Sequence, residues 1–561
     1  MSAAMTRLPR FLSSLLLIAA LGCGCTPEFD LVIEGGTVYD GTGADPVIAD
    51  IGIVADSIVA IGDLDDRSAA TRVDATGLAV APGFINMLSW ADETVIQDGR
   101  GLSDLMQGVT LEVFGEGWSN GPLTDSMAAE IEAGQERIKY DVSWRTLGEY
   151  LQFLETRGVS PNVASFVGAT TVRIHELGYE DRAPTPEELE RMKELVRAAM
   201  EEGAMGVGSS LIYAPAFFAS TEELVALASV AAEYDGMYIA HIRNEADGLE
   251  AAIEEHLRIT REAGIRSEIY HLKASGRQNW HKAAGVLDTL EAARAAGLEV
   301  SADMYTYAAS STGLDAAMPV WVQEGGFAAW RDRLMRPEMR ARVVKEMRSA
   351  TGGINRLNEP GTQSAMIVGV RQDSLRHLVG RSIADVAAER GITPEELAID
   401  LVIADSSRIQ MVYFAMSEDN VRRQVATPWI TFGSDGGAPA PEEPFTATST
   451  HPRAYGNFAR LLGRYVRDEG LIPMQQAIHR LTGLPASRLR IERRGTLKAG
   501  AFADIVVFDP ATIRDLATFD RPHQLAEGVR HVWVNGTRVV SDGNHTGTKP
   551  GRFVRRSDAR P

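Results

Sequence analysis

Met237-Tyr238-Ile239-Ala240-His241 and, further on, Ile269-Tyr270-His271 are two short apolar runs that each stop on a histidine. Between them Leu249, Ile253 and Leu257 recur every four residues and Gly264 follows, the pattern of an amphipathic helix with a glycine stop. The unit is strand, helix, strand. A right-handed crossover makes its two strands parallel, which brings both histidines to the carboxyl edge of one sheet. That edge is where α/β barrels carry their reactive groups, and neutral imidazole is the commonest side-chain metal ligand. Taken alone, the stretch is explained equally well by two strand-end histidines bonded to backbone groups, so the rest of the chain decides.

Outward from this unit the alternation continues. Candidate strands are Phe84 to Leu88, Thr110 to Phe114, Val163 to Val167, Met205 to Ser209, Met237 to Ala240, Glu268 to Tyr270, Val300 to Asp303 and Trp429 to Phe432. Thr185-Pro186-Glu187-Glu188 and Ser220-Thr221-Glu222-Glu223 both match a capping box, the first with proline at the first helical position. Between Asp303 and Trp429 lies a long interval with helical charged sequence from Trp330 to Ser349 and an apolar run from Ala365 to Val370, expected to be an insertion and loops over the barrel mouth. At the start of the chain, Leu31-Val32-Ile33, Thr37-Val38-Tyr39, Ile51 to Val54 and Ile58 to Ile61 alternate with turn residues, and near its end Ala503 to Phe508 and Val532 to Gly536 do the same. The expected fold is an α/β chain: a (β/α)8 TIM barrel over 83–484, with an insertion at about 314–365, and a small β-sandwich domain formed by both chain ends, 28–82 and 485–555.

A chain of 561 residues with 45% apolar residues can bury a large core and a second domain, and a formal charge of −20 argues against a nucleic-acid or anionic-lipid surface. Arg7 and Arg10 precede an apolar run, Phe11 to Leu21, too short to span a bilayer and laid out like a secretion signal. It ends in Ala20-Leu21-Gly22-Cys23, which resembles a bacterial lipoprotein box, so 1–25 reads as a signal segment. The expectation is an exported, periplasmic protein tethered to the membrane through lipidated Cys23, with Cys25 or a plain cleaved signal as the alternatives. Both cysteines of the chain lie here, so the body has neither a disulfide nor a thiolate ligand.

Other strand ends carry polar residues that can converge with His241 and His271. Glu116 follows the second strand, Asp303 and Tyr305 follow the strand after His271, and Asp435 follows the last, in Gly433-Ser434-Asp435-Gly436-Gly437, whose glycines leave room for a ligand. Two imidazoles and one carboxylate are a ligand set of catalytic zinc with a position left for water, and a nearby free carboxylate can take that water's proton.

Ala81-Pro82-Gly83-Phe84-Ile85, the two histidine strands, His271-Leu272-Lys273-Ala274, Asp303 with Tyr305 and Tyr307, Gly433 to Gly436, and Gly495-Thr496-Leu497 to Gly500 with Ala503-Asp504 resemble the amidohydrolase superfamily. Within it, the run from His241 to Leu314, the tail Ala517-Thr518-Phe519 with Pro522-His523, and Pro550-Gly551-Arg552 resemble the N-acyl-D-amino-acid deacylases, or D-aminoacylases. One departure stands out. The superfamily places His-x-His at the end of the first barrel strand, after Pro-Gly-Phe-Ile-Asp, where this chain reads Asn86-Met87-Leu88-Ser89-Trp90; both histidines are gone, so a two-metal centre on the usual plan cannot be built. The deacylases also carry a cysteine ligand after the second strand; here Gly115-Glu116-Gly117-Trp118 stands in that place, with Glu116 on the cysteine across a one-residue gap.

The resemblance implies a zinc-type hydrolase of the exocyclic amide of N-acyl-D-amino acids, with one divalent ion, Zn2+, on Glu116, His241 and His271; a carboxylate in place of thiolate also admits Mn2+. It further implies Asp435 as general base and acid, Tyr305 as donor to the substrate carboxylate or developing oxyanion, and Ser311 and Arg453 as holders of that carboxylate, the arginine fork matching it bidentately. The partner is then a small N-acyl amino acid, with no nucleic acid, and with a membrane only through the lipid anchor. Cyclic amides or dipeptides with a D-residue are the alternative substrates, and an inactive exported binding lipoprotein is the alternative from another class. Lys273 reads as a barrel salt-bridge partner, with a carbamylated metal bridge or neither role as the alternatives, His256, His531 and His545 as surface or structural residues, and Trp118 and Trp280-His281 as acyl-pocket or core aromatics.

Overall fold

The computed structural model describes residues 27–135, 137–349, 357 and 360–556. The signal run and both cysteines lie outside the described residues, and among the described residues no helix is long and apolar enough to cross a membrane.

Eight parallel strand positions close into a barrel: β1 (Phe84–Asn86), β2 (Val109–Phe114), β3 (Asn162–Ser165, continued by Val167–Gly168), β4 (Gly206–Ser210), β5 (Met237–His241), β6 (Arg266–Ile269), β7 (Val300–Met304) and β8 (Ile430–Phe432). They form two hydrogen-bonded arcs. β3 joins them by splitting its pairing, Asn162–Ser165 to β2 and Val167–Gly168 to β4. The other seam closes where Met87 N donates to Phe432 O at 3.3 Å and Asp435 N to Leu88 O at 2.9 Å. All eight expected strands are present, and the helix expected after β5 is Leu249–Ala263, stopped by Gly264 in the left-handed region at φ 61°.

The capping boxes differ in a telling way. Thr185 and Glu188 make the full reciprocal pair. Ser220 accepts from Glu223 N at 3.1 Å, but the Glu223 carboxylate is drawn instead into a buried ion pair with Arg173 at 2.6 Å. A buried guanidinium must be paired, and that demand outweighs half a cap.

Both chain ends build one nine-stranded sheet, in which Ile505–Phe508 lies beside Ala79–Pro82 and Phe29–Val38 beside Val47–Val54. Leu31, Ile33, Ile51, Ile53, Ile505, Val507 and Trp533 make its core. The insertion is longer than the sequence suggested. Strands Ser310–Gly313 and Ala365–Gly369 both pair antiparallel with Gln410–Tyr413, so the excursion runs from Ser310 to Tyr413 with its own apolar core, including Leu314, Trp330, Leu397 and Met411. The apolar run from Ala365 is thus a strand of the insertion and not of the barrel.

Candidate active site

Period-two alternation decides where His241 points. Met237 and Ile239 belong to an apolar cluster with Ile85, Leu111, Val113 and Ala164 from neighbouring barrel strands, whereas Tyr238 and Ala240 pack with helix residues such as Leu227 and Val196. His241 shares the inward face and, as the last residue of β5, reaches the mouth. The chain past β6 obeys a different rule: Tyr270 fills the interior cluster, and the left-handed φ of 35° at His271 breaks the alternation, so the next side chain also turns to the mouth. The His271 peptide N–H is tied at 2.8 Å to Asp303, which is fully buried at the end of β7. Asp303 therefore holds a loop instead of facing a substrate.

Glu116 is placed by its glycines. A Cβ on Gly115 (φ 104°) would lie 2.4 Å from Phe166 O, and one on Gly117 (φ 74°) 2.5 Å from Ser210 Cβ. Only glycine lets the end of β2 tuck in against β3 and β4. The outcome is that Glu116 Oε1 lies 2.9 Å from His241 Nδ1 and 3.0 Å from His271 Nε2, with the two imidazole rings 4.4 Å apart and nearly perpendicular. All three side chains are buried, and their ligand atoms lie within 4.8 Å of one another. Glu116 Oε2 accepts from Trp90 Nε1 at 2.8 Å. A second acidic group, Asp50, Asp63 and Asp65, differs in kind: the Asp50 oxygens are taken by the peptide N–H groups of Gly35 and Leu64.

Sequence reasoning missed Glu245. Its Oε1 lies 2.6 Å from Lys273 Nζ, 3.2 Å from His271 Nδ1 and 3.6 Å from His241 Nε2, so one buried carboxylate stands behind both imidazoles. An acid four residues beyond a strand-end histidine, in His241-Ile242-Arg243-Asn244-Glu245, was the available signal. Lys273 is the salt-bridge partner expected of it. Burial depresses His241 to about 4. Burial and Lys273 also press down on His271, but Asp435 and Glu116 outweigh them and lift it to about 9. Burial would raise Glu116, yet His271 and His241 hold it well below the usual carboxylate range.

Opposite this cluster Asp435 sits at φ 48°, raised by burial against the pull of Arg453, whose Nη1 is 2.8 Å from Asp435 Oδ2. The contact is an ion pair without hydrogen-bond alignment, leaving Arg453 Nε and Nη1 as buried donors with no aligned acceptor among the described residues. Tyr305 lies between Arg453 and Lys273, 4.6 and 5.5 Å from its ring, and its hydroxyl donates to Met416 Sδ at 3.3 Å. Ser311 donates to Met411 O at 2.7 Å. All these groups, with Trp118, Tyr213 and Arg408, line one cavity of about 610 Å³. Trp280 stands apart from it, its indole N–H on Ala415 O at 2.8 Å. The glycines after β8 serve the fold as well as the cavity: a Cβ on Gly433 would lie 2.6 Å from Leu88, while Gly436 and Gly437 line the pocket wall.

The stretch Asn86-Met87-Leu88-Ser89-Trp90, where the superfamily has Asp and then His-x-His, is committed elsewhere, its Trp90 indole N–H to Glu116. Asn86 is fully buried and bonds Asp104 at 2.9 Å, Glu112 at 3.1 Å and Ser434 Oγ at 2.8 Å, and Leu88 is buried. Among the other histidines, His256 is buried and not at the surface, bonded to Ser267 Oγ at 3.0 Å beneath the Tyr238 ring.

Residues 71–540 match the model of the Amidohydrolase family. The chain belongs to that family. This amidohydrolase is 35% identical over 533 residues to a D-aminoacylase of Alcaligenes xylosoxydans xylosoxydans, covering 95% of this chain and 98% of that protein. Among solved structures it is similar to a D-aminoacylase described with a binuclear metal centre, activated by one metal and attenuated by the second (TM-score 0.78, 32% identity, 94% of this chain and 100% of that one). It is similar also to the N-acyl-D-glutamate deacylase of Bordetella bronchiseptica with zinc and a phosphonate mimic of the tetrahedral intermediate (TM-score 0.77, 34% identity, 94% and 99%). The amidohydrolase is thus a TIM-barrel hydrolase acting on carbon–nitrogen bonds other than peptide bonds, the family and fold that its strand-end motifs resemble.

Proposed function

We propose that this amidohydrolase cleaves the exocyclic amide of N-acyl-D-amino acids, releasing a D-amino acid and a carboxylic acid, with one divalent ion, Zn2+, held by Glu116, His241 and His271. The observation that carries the proposal is the meeting of two imidazole nitrogens on Glu116 Oε1 at 2.9 and 3.0 Å, in the same cavity as Asp435. Two nitrogens and one carboxylate oxygen, buried and preassembled, suit a catalytic divalent ion with one position left over. The relatives' activities and the zinc of the glutamate deacylase support the same reading. A single ion is favoured because Asn86 to Trp90 supplies no histidine or carboxylate for a second set of donors: Asn86 is hydrogen-bonded on both sides of its amide, Leu88 is apolar and buried, and the Trp90 N–H is a donor held by Glu116.

When bound, the ion supplies a Lewis acid that polarises a carbonyl and acidifies water. The protein does the rest. Asp435 takes the proton of the attacking water and returns it to the leaving nitrogen, so it must start as a carboxylate; Arg453 favours that form. The unaligned donors of Arg453, with Ser311 beside them, meet the substrate carboxylate. Tyr305 packs its ring beneath that guanidinium, with its hydroxyl on the Met416 thioether, and would donate to the substrate carboxylate or the developing oxyanion. Exhaustive chelation followed by one equivalent of Zn2+ should abolish and then restore hydrolysis of N-acetyl-D-amino acids, with L-enantiomers and hydantoins turned over poorly throughout. Turnover that survives chelation, or a preference for hydantoins, would reject the proposal.

A further inference from the structure

The relatives differ in the side chain their names specify, and identities of 35% and 34% do not choose between a general D-aminoacylase and a D-glutamate deacylase. The cavity wall does. Tyr213 stands with its ring 5.5 Å from the His241 ring on one side and 4.8 Å from the Arg408 guanidinium carbon on the other, so Arg408 lies one aromatic ring away from the metal cluster. About half of the Arg408 side chain (53%) is exposed, and it lines the cavity.

The local chain is built to hold it there. Arg408 Nε donates to the buried Asp315 at 2.8 Å, and its side chain lies against Gly313, where a Cβ would come 2.9 Å from Arg408 Cβ. On its N-terminal side, Asp405 is fully buried and accepts from Arg371 N and Gln372 N at 2.9 and 2.8 Å, which fixes the turn. Two residues of that turn, Ser406 (φ 52°) and Ile409 (φ 53°), occupy the left-handed region. A β-branched residue there is a genuine outlier, and such strain persists where the surroundings over-determine the conformation, commonly at ligand sites. Arg408 is also next to the strand Gln410–Tyr413, which pairs with Ser311, and Gln410 Nε2 donates to Ser311 Oγ at 2.8 Å. If Ser311 and Arg453 hold the α-carboxylate, the next group along the wall is the substituent on the substrate's α-carbon.

From this placement we infer that Arg408 is a specificity-determining residue that recognises a second carboxylate, so that the preferred substrates are N-acyl derivatives of acidic D-amino acids. The inference rests on the deacylase reading and deepens it. Of the cations lining the cavity, Lys273 is paired with the buried Glu245 and Arg453 is assigned to the α-carboxylate, whereas Arg408 is half exposed to the cavity and carries a guanidinium, the group whose fork fits a carboxylate.

The test compares N-acetyl-D-glutamate with its neutral isostere N-acetyl-D-glutamine, using the zinc-loaded full chain and its Arg408→Met and Arg408→Lys variants. The wild type should favour the acid in kcat/KM. Arg408→Met should lower the glutamate-to-glutamine ratio by about tenfold or more, the scale of a charged hydrogen bond, chiefly through KM, and Arg408→Lys should recover part of it. A wild type that prefers glutamine, or a ratio unchanged by Arg408→Met in a protein that still binds zinc, overturns the inference. Calorimetric binding of N-acetyl-D-glutamate separates the two proposals: Arg408-dependent binding without turnover sinks the deacylase reading and leaves the subsite standing. Turnover of D-amino acid derivatives with Arg408-independent binding sinks the subsite alone.

Discussion

Arg453→Met should move the acid limb of the pH–kcat profile upward. Arg453 Nη1 and Asp435 Oδ2 lie 2.8 Å apart, and the two side chains are only 5% and 11% exposed, so water screens the pair weakly. At an effective dielectric constant of about 20, two unit charges at this spacing attract by about 6 kcal/mol. Water entering the space left by the arginine returns much of that, and a neighbouring cation typically lowers a carboxyl pKa by about 1–3 units, or about 1.4–4 kcal/mol. Burial already lifts Asp435 above the ordinary carboxylate range and Arg453 opposes it. Removing the arginine leaves burial and the Glu116 charge opposed only by His271 and Lys273, so Asp435 stays protonated to higher pH and activity is lost on the acid side, with the alkaline plateau of kcat retained. The limb should rise by about 1–3 pH units. Because Arg453 is also assigned to the substrate carboxylate, KM will rise as well, and the profile has to be read in kcat at saturating substrate. Arg453→Lys keeps the charge and should hold the limb near its wild-type position. An acid limb that stays put in Arg453→Met while KM climbs would mean that Asp435 is not the group whose deprotonation starts the reaction.

Two further outcomes follow from buried carboxylates. Glu116→Ala should weaken Zn2+ binding by more than the roughly 10–100-fold that loss of an outer-shell partner costs, and Glu116→Cys, which keeps a zinc ligand in place, should retain the metal; competition of purified protein against a chelator reads both, and full metal retention by Glu116→Ala removes Glu116 from the ligand set. Glu112, lifted by burial to about 7, shares the space behind Asn86 with Asp104, which burial and the Glu112 charge also raise. A carboxyl whose folded pKa exceeds its unfolded one contributes stability below the unfolded value and loses it as pH rises through the folded value, so the wild type should lose stability from about pH 4.5 to about pH 7 in urea titrations. Glu112→Gln should flatten that decline, and an unchanged slope would place the titration elsewhere.

The parts of this molecule that could be read from sequence are those set by short-range physics. Met237, Ile239 and His241 share a face because strands alternate, and Leu249, Ile253 and Leu257 share one because helices repeat; both regularities hold in the structure. The convergence of Glu116, His241 and His271 was legible because parallel strands put their carboxyl ends on one rim, wherever each lies in the chain. Long-range choices were not legible. Ser310–Gly313 finds its strand partner at Gln410–Tyr413 across the whole insertion, and local composition carries no register for such a pairing, which is why the insertion looked shorter than it is.

Glu245 shows the same limit inside the site. It follows β5 in a loop, and its contacts to Lys273 and His271 come from the next βα unit, so its position is a product of packing of which the acid four residues past His241 is only a faint local trace. Its chemistry nevertheless completes what the sequence proposed. With His241 Nδ1 and His271 Nε2 turned to Glu116, the remaining ring nitrogens face Glu245 Oε1 at 3.6 and 3.2 Å. His271 Nδ1 also lies 2.8 Å from Lys273 Nζ, an ammonium that can only donate to it. His241 Nε2 makes no hydrogen bond among the described residues, so Glu245, tied to Lys273, backs the two rings by charge without setting their tautomers. In the proposed centre one buried carboxylate would hold the ion while another stands behind the two rings, an arrangement that does not call on the His-x-His pair.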